Sequence, residues 1–346
     1  MIDVGILGGS GYTGGELLRI LLRHPSLRAA WATSRQHAGR EVAEVFPSLR
    51  DFTSLSFAEP DIDGLPTQVQ AVFVALPHTE AMNVVPTLLE RGVKVVDLSA
   101  DFRLEDPAVY STWYGCDHGS PALIEEAVYG LTEWNRDQVS AARLVANPGC
   151  YPTAALLALL PLVGDGLVAE GEIVVDAKSG VSGAGRAPQQ KTLFCEVDEG
   201  LSAYLAGRHR HLPEIEQELS KAAGGTVSLT FVPHLVPLSR GLLETIYLKL
   251  GTGAGLKEVE ESYHRAYADA TFVKTAPPGV LPGIRDVAGT NLCRIGFIDD
   301  PRGGRVVLVS VIDNLVKGAA GQAVQNLNLM FGLAEGAGLD TPGLYP

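Results

Sequence analysis

Ile2-Asp3-Val4-Gly5-Ile6-Leu7-Gly8-Gly9-Ser10-Gly11-Tyr12-Thr13-Gly14 opens the chain. An apolar strand pattern runs into the spacing G-x-G-x-x-G at Gly9, Gly11 and Gly14. Gly15–Arg23 then follows as a helix, with Leu17, Leu18, Leu21 and Leu22 as its apolar face. Glycines here allow a tight turn and close backbone approach, and the N-terminus of the next helix favours an anion through its open N–H groups and dipole. Glycine turns are common in α/β proteins. Between a first strand and a first helix, this one predicts a dinucleotide pyrophosphate on the loop.

Beyond it, Leu27–Thr33, Ala71–Leu76, Val93–Leu98 and Arg143–Ala146 read as further strands, with a helix over Glu80–Glu90 that must accommodate Pro86. Strands alternating with helices imply parallel βαβ units. Past Cys150 the texture changes. An apolar helix over Thr153–Leu160 is followed by longer strand-like runs at Glu172–Ala177, Thr226–Val232, Leu242–Leu250 and Arg305–Ile312. Asp299-Asp300-Pro301-Arg302-Gly303-Gly304 reads as a hairpin turn, and Ala319–Phe331 as the last helix. The expected fold class is α/β: a Rossmann-type dinucleotide-binding domain plus an α+β domain with a mixed or antiparallel sheet.

A length of 346 residues exceeds one ordinary core, so two domains are expected, with a boundary near residue 148. Lys and Arg number 27 against 40 Asp and Glu, a net charge of −13 that repels phosphate backbones and anionic lipid. Nucleic acid and membrane are therefore excluded as general partners, and an anionic ligand needs a local pocket. Met1 leads directly into the first strand without a basic leader, and the longest apolar stretch, Leu156–Val163, contains Pro161 and is too short for a membrane span. Cys116, Cys150, Cys195 and Cys293 are widely spaced with no C-x-x-C pair, which fits a reduced, cytoplasmic protein without a metal site.

Several segments carry chemistry. The second strand ends Ala32-Thr33-Ser34-Arg35. An NAD site usually has an acid there, about 20 residues past the glycines, to hold the ribose 2′-hydroxyl. An arginine in its place favours the 2′-phosphate of NADP(H), the alternative being an ordinary surface cation. Cys150 lies in Asn147-Pro148-Gly149-Cys150-Tyr151-Pro152-Thr153, where a strand end meets an apolar helix. A helix N-terminus stabilises a thiolate, so Cys150 is the candidate nucleophile; the other three cysteines lack such a setting. Gly207-Arg208-His209-Arg210-His211 offers imidazoles for acid/base work and cations for an anionic substrate, or simply a solvated basic loop. Ser179-Gly180-Val181-Ser182-Gly183-Ala184-Gly185-Arg186 could let backbone approach a nicotinamide ring, or could be a flexible connection. Asp97-Leu98-Ser99-Ala100-Asp101-Phe102-Arg103 ends a parallel strand, and the Arg103 fork suits a phosphate or carboxylate.

Taken together these segments resemble the N-acetyl-γ-glutamyl-phosphate reductase family of arginine biosynthesis, within the wider aspartate-semialdehyde dehydrogenase-like superfamily. The resemblance runs end to end, through the glycine opening, Thr33-Ser34-Arg35, Leu98–Arg103, the Asn147–Thr153 cysteine box, Ser179–Gly185, His209-Arg210-His211 with Pro213-Glu214-Ile215, and Asp313-Asn314-Leu315-Val316-Lys317-Gly318. It implies an NADP-binding domain of residues 1–148 with 315–346, and a catalytic and oligomerisation domain of residues 149–314. It implies that an acyl phosphate is reduced to an aldehyde and inorganic phosphate through a Cys150 thioester. His211 is then the proton-transfer residue, with His209 second. Gly8, Gly9, Ser10, Gly11, Tyr12, Thr13, Gly14, Ser34, Arg35, Ser182, Gly183 and Asn314 would contact NADP(H). Arg103, Asn147, Arg210 and Arg240 would contact the substrate, and the assembly would be a homodimer or homotetramer. Arg208 departs from the family, which usually has glycine there.

Three other readings compete. Aspartate-semialdehyde dehydrogenase shares the chemistry, but its histidine follows an Arg-Gly-like step, whereas Leu242 follows Ser239-Arg240-Gly241 here. The carrier-protein-linked aminoadipyl-phosphate reductase of lysine biosynthesis is similar throughout. A catalytically inactive NADP-binding redox regulator would need neither the histidine pair nor the second glycine loop.

Overall fold

Six short strands, each ending in a turn toward a helix or loop, build the first sheet of the computed structural model, which describes residues 1–277, 279–302 and 304–344. They are β1 (Ile2–Leu7), β2 (Leu27–Ala32), β3 (Val69–Val74), β4 (Lys94–Asp97), β5 (Val128–Tyr129) and β6 (Leu144–Ala146), in the order β2-β1-β3-β4-β6-β5. Every pairing is parallel. Chain order reverses beside β1, since β2 lies on one side of it and β3 on the other. The carboxyl end of β1, where Gly8–Gly14 sits, is thus the switch point at which such sheets bind ligands. Near-continuous burial of β1, β3 and β4 reflects a sheet covered on both faces. Val72, Val74, Val85, Leu88, Val95 and Leu144 belong to one core between this sheet and the Ala81–Glu90 helix.

The second sheet has seven strands: β7 (Val174–Gly180), β8 (Ser202–Ala203), β9 (Thr230–Val236), β10 (Leu242–Leu248), β11 (Val273–Thr275), β12 (Cys293–Asp300) and β13 (Arg305–Ile312). Their order is β11-β12-β13-β10-β7-β9-β8. The sheet is mixed, with β7–β9 and β11–β12 parallel and the rest antiparallel. Leu242, Glu244, Ile246 and Leu248 are buried while the residues between them are half-buried, the period-2 signature of a sheet with one face covered by helices. The cover is the helix Cys150–Gly164. Tyr263 and Tyr267, on the helix Leu256–Tyr267, donate hydroxyl hydrogen bonds to the carbonyls of Ala158 and Leu157, both at 2.7 Å.

Chain contacts divide the protein into two compact units. One holds Met1–Pro148 with Ala319–Thr341; the other holds Gly149–Gly318 and the last residues from Pro342. By this division the second unit runs on to Gly318. Asp313 holds the end of that run, its carboxylate accepting from the N–H groups of Leu315 and Val316 and its carbonyl from that of Gly318.

Element bounds differ from the sequence expectations in instructive places. The first helix starts at Tyr12, not Gly15, because Gly14 packs against the backbone of Gly9, where a β-carbon would lie 2.5 Å from the Gly9 carbonyl oxygen. The helix expected at Thr153 begins at Cys150, since Gly149 is extended and Pro152 sits in the first turn, where its missing N–H costs nothing. The run Thr226–Val232 is shifted to Thr230–Val236 and takes in Pro233, tolerated beside the two-residue edge strand β8. A π-helical turn over Val316–Ala320 precedes the last helix, Gly321–Met330. The expected hairpin joins β12 to β13 with Asp300 opposite Arg305, and its Gly303 lies outside the described residues. No described helix is long and apolar enough to cross a membrane.

Candidate active site

Gly149 is the last extended residue before a helix whose first residue is Cys150, and having no side chain it leaves that helix start without a side-chain cap. The half-buried thiol therefore stands where the helix dipole favours negative charge. Cys150 lines a cleft with Tyr151, Ser179, Gly180, Gly183, Lys191, Tyr204, His209 and His211, all within the second unit. Two glycines make room for it. A β-carbon on Gly318 would lie 2.8 Å from Cβ of Cys150, and one on Gly149 would lie 2.5 Å from Nε2 of His211. The nucleophile candidate and both histidines are thus brought together.

The histidines form one aromatic cluster. Their ring centroids are 4.8 Å apart and edge-to-face, and Tyr151 meets both rings edge-on, at 5.5 Å from His209 and 5.8 Å from His211. The backbone N–H of His211 donates to Nδ1 of His209 at 3.1 Å, so a neutral His209 carries its proton on Nε2. Burial, together with the charges of Arg210 and Lys191, pushes the His209 pKa down to about 4. His209 is neutral through the physiological range. Tyr151 and Tyr204 share a hydroxyl contact at 3.0 Å, and burial raises both phenols, Tyr204 to about 12. At neutral pH they remain hydrogen-bonding groups.

Glu214, in the first turn of the helix Leu212–Ala223, is 1% exposed and accepts a 2.9 Å hydrogen bond from the N–H of Gly149. Its carboxylate pins the turn that presents Cys150. Sequence does not point to Lys191 or Tyr204, and gives Glu214 no role beyond its place in the Pro213-Glu214-Ile215 motif. Glu214 was legible as an acid in a helix's first turn, whereas Lys191 and Tyr204 come from an irregular stretch with no pattern.

The second glycine loop forms a short 3-10 turn, Val181–Ala184. Asn314 ties it down, donating through Nδ2 to Oγ of Ser182 at 2.9 Å and accepting from the N–H of Gly241 at 2.7 Å. Gly183 lies on Ser179, where a β-carbon would be 3.0 Å from its Oγ. Arg240 pairs with the buried Asp313 carboxylate at 3.1 Å, and Arg210 is exposed. Neither is among the side chains that line the cleft. Arg208 is likewise exposed, following Gly207 at φ +65°.

Arg103 and Asn147 belong to the first unit and are both buried. The Arg103 guanidinium donates to the carbonyls of Asn147 at 2.8 Å and Leu98 at 2.9 Å, cross-linking the ends of two parallel strands. Asn147 accepts in turn from Nδ2 of Asn326 at 3.1 Å.

The nucleotide loop fits a dinucleotide. Gly8 has φ +81°, and a β-carbon there would lie 2.4 Å from the Ala75 carbonyl oxygen, so only glycine turns the chain at this point. The helix Tyr12–Leu21 starts without a side-chain cap, leaving its N-terminal end for an anion. Oγ of Ser10 and Ser34 lie 2.8 Å apart, joining the loop to the end of β2. Gln322, fully buried at the start of the last helix, has neither side-chain polar atom hydrogen-bonded, as an amide reserved for a ligand would be. Arg35, on the surface beyond Ser34, pairs with Glu80 at 2.7 Å. Among the described residues no three metal-ligating side chains come together.

Comparison with known proteins matches this architecture. The family model described as semialdehyde dehydrogenase, NAD binding domain, matches residues 3–142, and the dimerisation domain of the same group matches residues 150–314. Among solved structures of the same fold, aspartate semialdehyde dehydrogenase II of Vibrio cholerae, complexed with ASA, is 18% identical with a TM-score of 0.74, covering 96% of this chain and 98% of that one. The aspartate semialdehyde dehydrogenase of Candida albicans, with NADP, is 16% identical with a TM-score of 0.67, covering 96% and 99%. Curated relatives are much closer in sequence. N-acetyl-gamma-glutamyl-phosphate reductase of Halorhodospira halophila is 56% identical over 347 residues and that of Alkalilimnicola ehrlichii 54% over 346, each alignment spanning 100% of both chains. With more than half its residues shared along the whole length, the chain belongs to the N-acetyl-gamma-glutamyl-phosphate reductase family.

Proposed function

We propose that this enzyme reduces N-acetyl-γ-glutamyl phosphate to N-acetylglutamate semialdehyde and phosphate, with NADPH as reductant and Cys150 carrying the acyl group as a thioester. The carrying observation is Cys150 at the start of its helix, in one cleft with His209, His211 and Lys191. The relatives' names favour the acetylglutamyl substrate over a carrier-linked aminoadipyl one, and the retained cysteine–histidine cleft argues against an inactive regulator.

The Cys150 thiolate attacks the acyl carbon, and the carbon–oxygen bond to phosphate breaks, leaving a thioester and free phosphate. The helix N-terminus at Cys150 favours the negative charge both on sulfur and on the carbonyl oxygen as it becomes tetrahedral. Lys191 balances the charge of the phosphoryl or carboxylate end. A nicotinamide held beside Ser182, Gly183 and Asn314 would supply the hydride that reduces the thioester carbon. His211 then protonates the oxyanion of the tetrahedral adduct to the neutral hemithioacetal and takes that proton back as the carbon–sulfur bond breaks, so that the aldehyde is released and Cys150 leaves as thiolate. His209, neutral and fixed through Nδ1, orients His211 and supplies an N–H through Nε2. Glu214 and Gly149 hold the turn that keeps sulfur and imidazole in register.

In the first unit, the loop Gly8–Gly14 would hold the pyrophosphate, Ser10 and Ser34 the adenosine ribose, and Arg35 its 2′-phosphate. Ser182, Gly183 and Asn314 form the rigid floor over which a nicotinamide would lie. Arg103 and Asn147 fix the backbone leading to Cys150 and would act on substrate through that backbone. Arg210 and Arg240 would be secondary to Lys191 in charge balance. The half-buried face of the second sheet, including Val174, Thr245, Tyr247 and Val307, is suited to pairing copies as a homodimer or homotetramer. We place the enzyme in the cytoplasm.

The test follows absorbance at 340 nm with N-acetylglutamate semialdehyde, phosphate and NADP⁺. Phosphate-dependent formation of NADPH is expected. Silence with this aldehyde, but turnover with a carrier-bound aminoadipate semialdehyde, would overturn the substrate and leave the reaction class.

A further inference from the structure

Arg35 is not alone at the end of β2. Its guanidinium donates to both carboxylate oxygens of Glu80, at 3.3 Å through Nη1 and 2.7 Å through Nη2. Glu80 comes from a different part of the first sheet, just after β3 and immediately before the helix Ala81–Glu90. The backbone that delivers it is held tightly. Thr79 has φ +73°, an unusual conformation for a β-branched residue, and its N–H donates to Oδ1 of the buried Asp101 at 2.8 Å. The other Asp101 oxygen accepts from the N–H of Met82 at 3.0 Å, so one buried carboxylate clamps the chain on both sides of Glu80. Side-chain exposure is 68% for Arg35 and 30% for Glu80, so the carboxylate is the more fixed partner.

We infer that Glu80 is a residue that sets cofactor specificity, competing with the 2′-phosphate of NADPH for Arg35 and narrowing the enzyme's preference for NADPH over NADH. The inference rests on the reading that Arg35 meets the 2′-phosphate. A dinucleotide site normally discriminates through one residue at the end of the second strand, an acid for the 2′-hydroxyl or an arginine for the 2′-phosphate. Here the arginine is on that strand's end and the acid is brought to it from the next crossover. Binding NADPH exchanges the Arg35–Glu80 pair for an Arg35–phosphate pair and leaves a carboxylate near a dianion. Binding NADH leaves the pair intact and offers the carboxylate to a hydroxyl donor. Exposed ion pairs contribute at most about 1 kcal/mol, so the exchange opposes NADPH by on the order of two- to fivefold.

The experiment measures dissociation constants of NADPH and NADH, by quenching of protein fluorescence, for the wild type, Glu80→Gln, Arg35→Gln and the double variant, with melting temperatures as a check on folding. Glu80→Gln should raise the ratio of the NADH to the NADPH constant about two- to fivefold. Arg35→Gln should weaken NADPH selectively, and the effect of Glu80→Gln should vanish in that background. An unchanged ratio in Glu80→Gln, with Arg35→Gln still selective against NADPH, would overturn the role of Glu80 alone. If Arg35→Gln binds NADPH like wild type, the 2′-phosphate reading fails and the inference falls with it.

Discussion

The imidazole of His211 rests on Gly149: a β-carbon at residue 149 would lie 2.5 Å from Nε2, well inside van der Waals contact. The turn that delivers Cys150 is therefore shaped to the histidine beside it, and Glu214 holds the same turn from its N–H side. Gly149→Ala should fold, since the residue is extended with φ −67°, but should push the imidazole aside. Displacing a catalytic group by about 1 Å costs on the order of 100-fold in rate. Steady-state kinetics should show that loss mainly in kcat, with an unchanged melting temperature.

Gly318 supports the other side of the nucleophile. A β-carbon there would lie 2.8 Å from Cβ and 3.2 Å from Cα of Cys150. Gly318→Ala overpacks a buried helix start, a change that costs about 1–3 kcal/mol. Urea unfolding should reveal a loss in that range, accompanied by slower thiol modification of Cys150.

Much of this arrangement was legible in sequence, and the limits were physical. The glycine loop, the Pro-Gly turn before Cys150 and the histidine pair declare themselves because each needs particular residue types at fixed spacing. Element bounds differ where tertiary contacts override local signals, as with Pro233 inside β9. The helix Leu256–Tyr267 was missed although Leu256, Val259, Tyr263 and Tyr267 fall at helical spacing. Lys191 and Tyr204 could not be found in this way, because irregular segments converge on the cleft only through the fold. The two backbone carbonyls that the Arg103 guanidinium bonds could not be read from sequence, because they come from the ends of two separate strands.

Lys191 has two readable effects. It lines the cleft, and its charge contributes to lowering the pKa of His209. Lys191→Met should raise KM for the acyl phosphate roughly tenfold, as loss of a charge-assisted contact does, with a smaller change in kcat. Titration of the His209 ring by NMR should show its pKa rising in the same variant. A KM equal to wild type would remove Lys191 from substrate binding.

His209 also links stability to pH. Its pKa is depressed from 6.5 to about 4 by burial first and neighbouring cations second. Between those values the unfolded chain binds a proton that the folded protein does not. Stability is therefore lost as pH falls from about 6.5 toward 4, and no further from this group below 4. The shift corresponds to a loss on the order of 3 kcal/mol across that window. In His209→Gln, which cannot take the proton, the melting temperature should fall less steeply over the same range.

An acyl group carried on Cys150 can be trapped by withholding phosphate. Wild type mixed with N-acetylglutamate semialdehyde and NADP⁺, with phosphate omitted, should release about one equivalent of NADPH per site and stop, by the stoichiometry of a covalent intermediate. Digestion and mass spectrometry should then find the N-acetylglutamyl group on the peptide containing Cys150, and added phosphate should discharge it. Cys150→Ser should give neither burst nor adduct. A burst of NADPH in Cys150→Ser, or an adduct on another residue of the wild type, would rule out a Cys150 thioester.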